Sequence, residues 1–158
     1  MEASELIERL EKATGPDREI DALLWAHFDN RVVRIAYGEV IARKRDSLDD
    51  VRLGFVDPTP LRSNFYGWDG EAYTASIDAA LALVERVLPG WGYFLRHDSD
   101  SGYVAALVYP DAFRVTPGAT NGANMATALC LALLRASPTE EPALPPQAQA
   151  ASDLQPQE

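Results

Sequence analysis

Residues 125–136, MATALCLALLRA, read as a helix with apolar side chains nearly all the way round: Met125, Ala126, Leu129, Cys130, Leu133 and Leu134 leave it almost no polar face. Such a helix is stable only when most of its surface is covered. Its strongly apolar stretch, Ala126 to Leu134, is far shorter than the roughly 20 residues that span a bilayer, so protein has to supply the cover. The chain has 158 residues, the length of one domain. The cover is therefore expected from other elements of a single domain spanning residues 1–136.

Those elements follow from hydrophobic period and punctuation. Ser4 to Ala13 sets Leu6, Ile7, Leu10 and Ala13 on one helical face, and Thr14-Gly15-Pro16 ends it. A second helix is predicted from Pro16 to Phe28, with Asp17 and Glu19 at its positive end and Ile20, Leu23, Leu24, His27 and Phe28 as its stripe. Together they make a helical hairpin with acidic outer faces. Residues 31–42 are β-branched and partly alternating, a strand or a bent pair broken at Gly38. The stretch 43–73 has no clear period and is too long for a routine connection, so it is a functional loop or hides short strands.

Thr74-Ala75-Ser76 caps a third helix, Ile77 to Leu88, whose stripe is Ile77, Ala80, Leu81, Val84, Val87 and Leu88. Trp91–Arg96 and Tyr103–Tyr109, joined by the polar turn 97–102, form an antiparallel hairpin. A polar loop, 116–124, leads into the last helix. Helix pair, strand, helix, hairpin, helix predicts a three-layer α-β-α sandwich: helices on both sides of a small, partly antiparallel sheet, with an N-terminal helical hairpin and a buried C-terminal helix. Residues 137–158 hold five of the eleven prolines and no aromatic residue. They cannot bury enough apolar area to order themselves, and read as a disordered Pro/Gln/Ala-rich acidic tail.

The formal net charge of −10 is uneven. Residues 1–30 carry eight acids against three bases, and 137–158 carry four acids and no base, which leaves 31–136 at −1. Long nucleic acid is disfavoured, since it needs clustered positive charge. One cysteine and two histidines argue against a disulfide framework and against a Cys/His zinc site. The opening MEASELIERLEK has no apolar h-region, so the expected location is cytoplasmic, with no membrane partner.

Inside the domain, seven of the fourteen bases fall in 31–73, and five of the fourteen aromatics in 55–73. Arginine forks match phosphate oxygens, and aromatic faces stack on nucleobases. Arg34, Arg43, Arg62, Tyr66, Trp68 and Tyr73 are the candidate ligand-binding residues for a small anionic or nucleotide-like molecule. The same composition also suits a loop whose aromatics plug the core while its arginines pair with Asp46, Asp49, Asp50 and Asp57. A second candidate is the Gly118–Asn124 loop, where Thr120, Asn121 and Asn124 stand before a helix N-terminus with Gly122 allowing close approach. Its plain reading is a capping loop.

No catalytic constellation is visible. Ser76 is a helix cap by position, His27 and His97 lie apart in the sequence, and Cys130 sits among leucines. The paired acids Asp49-Asp50 and Asp98/Asp100 occupy polar turns, so no metal site is expected.

Three blocks resemble the phage ABA sandwich domain family: Leu6 to Ala22, Tyr73 to Val84 followed by Pro89-Gly90-Trp91, and Ala126 to Ala136. The resemblance covers about a third of the chain and implies a phage or prophage α-β-α sandwich protein, with no activity and no catalytic residues to carry over. Against that pattern the stretch 31–70 is longer and more basic, the first place to look for an added function. The expected function is a non-catalytic, phage-encoded binding protein that needs no cofactor. It would sequester a nucleotide-derived signal of host defence. A protein-interaction module using the acidic hairpin and tail is the alternative, a nucleotide hydrolase the third reading. Open sheet edges and the apolar last helix also allow a homodimer.

Overall fold

Describing residues 3–36, 38–56, 65–66, 68–100, 102–109 and 120–137, the computed structural model of the chain is mixed α/β, with four helices and two small antiparallel sheets. The helices are α1 (Ala3–Lys12), α2 (Arg18–Phe28), α3 (Ile77–Val87) and α4 (Met125–Ala136). One sheet runs in the order β1 (Arg31–Ala36), β2 (Glu39–Lys44), β3 (Asp50–Val56), β4 (Phe65–Tyr66). The other is β5 (Gly92–Asp98), β6 (Gly102–Val108), β7 (Thr120–Gly122). The strands therefore divide between two sheets, where a single one was expected, because the stretch 31–56 folds back on itself as a meander.

Local chemistry explains most boundaries. Gly38 at φ 79° turns β1 into β2, a left-handed conformation that costs glycine nothing. The stretch without a clear period does hold strands, β3 and β4. Their signal is weak because the register shifts between Val40 and Ile41, where β2 meets the Arg52–Gly54 step of β3, and such a bulge breaks simple alternation. The strand β7 lies inside the predicted polar loop; Thr120-Asn121-Gly122 has no apolar pattern and is recruited by pairing with Tyr103–Ala105. Residues 116–119 of that loop, and 138–158 of the expected tail, lie outside the described residues.

The second helix starts two residues later than its sequence suggests. The Asp17 carboxylate accepts from the backbone N–H of Glu19 and Ile20 at 2.8 and 3.1 Å, making Asp17 the cap and leaving Pro16 before it. The third helix is capped as expected by Ser76, which accepts from Ala79 N at 3.2 Å. Its buried stripe is turned slightly, to Ala79, Ala80, Leu83 and Val84, and Ile77 stays exposed.

Every residue from Ala126 to Leu134 is buried. α4 achieves this by packing against α1, α3, β6 and β7 at once. The cover demanded by its composition is thus supplied by two helices and a sheet. A second, smaller apolar cluster, formed by Ala22, Ala26, Val40, Ala42 and Leu53 with Trp25, Val33, Val51 and Trp68 packed against it, joins α2 to the four-stranded sheet. α2 serves both cores: Ile20, Leu23 and Leu24 belong to the first, Ala22 and Ala26 to the second.

Candidate functional site

Side chains alternate across a strand, and this sorts the arginine-aromatic stretch onto two sides of the first sheet. Val33, Val40 and Ala42 pack toward α2; Arg34 and Arg43, one residue out of phase, face away. On that outer face both arginines reach Asp50 of β3. Arg43 donates from Nε and Nη2 at 2.6 and 3.0 Å, and Arg34 from Nη2 at 2.9 Å. The Arg43 hydrogen bond is the largest influence holding the Asp50 carboxyl down to about 2; desolvation opposes it, and the Arg34 hydrogen bond and both guanidinium charges add to the lowering. Arg52 and Glu39 make a second ion pair in this sheet at 3.0 Å. The two arginines do converge, but on a carboxylate of their own sheet.

Trp68 lies on the opposite side. Its ring sits 5.1 Å from that of Trp25, within the cluster that includes Leu53. Arg31 stacks 4.8 Å over the Trp25 ring, a cation–π contact. Trp68 is therefore half-buried against the smaller apolar cluster, across the sheet from Arg34 and Arg43. Tyr66 takes the register position opposite Phe55, and Arg62 lies outside the described residues.

The loop before α4 is occupied in the same way. Asn124 Oδ1 accepts from Thr127 N and Thr127 Oγ1 at 2.9 and 3.1 Å, while its Nδ2 donates to Thr74 O at 3.0 Å. A Cβ on Gly122 would stand 2.5 Å from Ala128 N. The close approach made possible by this glycine is used by the helix itself. Thr120 and Asn121 pair as β7 residues with Ala105 and Val104.

A polar cluster that the sequence reading missed holds the 68–74 segment in place. Asp21, placed by its helical position among exposed acids, is fully buried. One carboxylate oxygen accepts from Thr74 N and Thr74 Oγ1 at 2.7 and 2.8 Å, the other from Arg18 at 2.9 Å. Arg18 also donates to the carbonyls of Trp68 and Gly70 at 2.9 and 2.7 Å. Burial outweighs these hydrogen bonds and pushes the Asp21 carboxyl above its ordinary value. Arg18 three residues before Asp21 is the one sequence signal for this pair.

Next to this clamp an open cavity runs along α3. It has a volume of about 470 Å³ and is lined by Tyr73, Ser76, Ala82, Arg86 and the acids Glu71 and Asp78. Asp78, Ala82 and Arg86 recur at four-residue spacing on one helical face, and the small Ala82 leaves space between the charged ends. Arg86, Glu71 and Asp78 make no side-chain ion pair or hydrogen bond with another described residue. Tyr73 is buried; its phenol is pushed up chiefly by burial, opposed by Arg86 and reinforced by Glu71, Asp21 and Cys130. Among the described residues, Tyr73 is the one expected ligand residue that lines this cavity. Ser76 is spent as the cap, and burial pushes the Cys130 thiol far up.

No described helix is long and apolar enough to cross a membrane, and no cluster of three metal-ligating side chains occurs among the described residues. No protein-family model, curated protein or solved structure matches the chain.

Proposed function

We propose that this chain is a non-catalytic binding protein for a small anionic, nucleotide-like molecule, held in the cavity along α3. Arg86 carries the reading: a guanidinium lining a cavity of about 470 Å³, with no carboxylate paired to it among the described residues. A pocket of this size suits a small organic ligand. Arg86 offers its fork to a phosphate or carboxylate. Glu71 and Asp78 accept from hydroxyl or amino groups at the other end of the ligand, as a ribose diol or a base amine would provide.

Arg34 and Arg43 are weaker anchors, because an incoming anion has to displace Asp50. The resemblance to phage sandwich proteins supplies the biological side of the proposal, capture of a host defence signal by stoichiometric binding. The finer three-layer arrangement belongs to the same proposal; α4 packs on β6 and β7 with α1 and α3 against it, and α2 packs on β1.

Calorimetry and thermal shift with mono-, di- and cyclic nucleotides test this. Ligand at a hundredfold excess over its Kd adds about 2.7 kcal/mol, a clear rise in Tm. Arg86→Ala abolishes the rise and Arg34→Ala leaves it intact. Absence of stabilisation by every nucleotide, or full binding by Arg86→Ala, rejects the proposal. Ligand recovered chemically intact after heat denaturation distinguishes capture from hydrolysis.

A further inference from the structure

β5 is an edge strand: in the order β5-β6-β7 it has one neighbour. Edge strands expose a row of unpaired N–H and C=O groups, and proteins usually blunt them with proline, a bulge, lysine or a covering segment. Gly92-Tyr93-Phe94-Leu95-Arg96-His97-Asp98 contains no proline or lysine, and its pairing with β6 runs over all seven residues without a register shift. No hydrogen bond from another described segment reaches its free side. Tyr93 and Phe94, which point to opposite faces, are 53% and 54% exposed, so an open aromatic ring stands on each side of that edge, while Leu95 packs on the main core.

We propose that β5 pairs antiparallel with β5 of a second copy of this chain, joining two three-stranded sheets into one of six strands. The strand's own sequence selects this partner. Pairing over the full seven residues sets the two-fold axis at Leu95, so Phe94 stands opposite Arg96 of the other copy and Gly92 opposite Asp98. Each pair then occurs twice. The guanidinium lies beside an exposed aromatic ring, a favourable cation–π pairing, and stays bonded to Asp98 within its own strand at 2.9 Å. A slip of two residues in one direction places Arg96 opposite Arg96 and costs like-charge repulsion. A slip in the other direction loses Asp98 from the ladder. Slips of one residue turn the α4-facing side of one sheet away from that of the other, separating Tyr93 from His97. The full-length register alone satisfies the aromatic, the charge and the shared face.

Sedimentation equilibrium across a protein dilution series, with circular dichroism to confirm folding, tests the pairing. Wild type is expected to dimerise. Phe94→Lys sets lysine opposite arginine at an exposed position and weakens association about tenfold or more, the equivalent of about 1.4 kcal/mol. Phe94→Lys combined with Arg96→Glu restores a charge-matched pair and recovers the dimer. A wild type that stays monomeric throughout, or a dimer that Phe94→Lys leaves untouched, overturns the proposal. So does a folded double variant that remains monomeric.

Discussion

Asp50 accepts from two arginines, and this fixes the sign of its contribution to stability. Its folded value, about 2, lies below the ordinary aspartate value of about 3.9. A carboxylate held down in the folded state stabilises fully above its unfolded value, and that stability is lost as pH falls through the folded one. Urea midpoints of wild type should therefore drop between about pH 4 and pH 2 more steeply than those of Asp50→Asn; parallel curves would reject the assignment. Asp21 has the opposite sign. Burial raises it, so its contribution is complete below the ordinary value and declines as pH rises through the raised one. These two aspartates also mark what sequence resolves at this scale. Pairing of the arginines with nearby aspartates is one of two open readings, and register decides it: β3 sets Asp50 opposite Arg43, and the β1–β2 pairing brings Arg34 to the same carboxylate. Asp21 reads in the sequence as one more acid of the hairpin's outer faces. Its burial depends on Thr74, 53 residues away, and no local pattern carries that contact.

At the scale of elements, strong period translated directly into structure, while pairing-dependent pieces stayed hidden. α4 and the β5–β6 hairpin are legible because one is apolar nearly all round and the other is two short apolar and aromatic runs on either side of a polar turn. β7 is not, since Thr120-Asn121-Gly122 becomes a strand only against β6. The junction from β7 into α4 is tight: a Cβ on Gly122 would fall 2.5 Å from Ala128 N and 2.8 Å from Asn124 O. Both are backbone atoms of the first turn and cannot swing aside as a side chain can. Gly122→Ala should push the cap away from Thr127 and destabilise the protein by about 1–3 kcal/mol, the usual cost of overpacking. Chemical denaturation measures it; an unchanged midpoint would mean that the first turn of α4 relaxes freely. The candidate site was half legible at this scale. Composition points to Tyr73, whereas Arg86 carries no signal in the sequence, because one arginine in the last turn of a helix is also what the helix dipole favours. Only the Ala82 gap, opened beside the 71–76 turn, makes it a pocket wall.

For the whole molecule, charge and cooperativity both depend on how α1 and α2 are used. The acidic hairpin offers fewer free acids to a partner than its sequence suggests. Glu8 bonds Lys12, Glu19 bonds Arg9, Glu11 bonds Arg135, and Asp21 is buried. This favours a small ligand over an acidic docking face. α2 meanwhile lies between the two apolar clusters, with Trp25 and Val33 packed against both. Neither cluster can lose α2 without exposing the other, so the four-stranded sheet and the α4 core should unfold together. Once Trp91, which packs on the larger cluster, is replaced by Phe, the remaining fluorescence comes from Trp68 on the smaller cluster and from Trp25 at the seam of both. In Trp91→Phe, fluorescence and far-ultraviolet dichroism should give one coincident urea transition, the mark of two-state behaviour. Leu53, fully buried in the smaller cluster, supplies the perturbation. Leu53→Ala should cost about 2–5 kcal/mol, as large-to-small core changes do, and should shift both signals equally. If fluorescence melts first while the helical signal holds, the sheet is a separate folding unit and α2 does not couple the two cores.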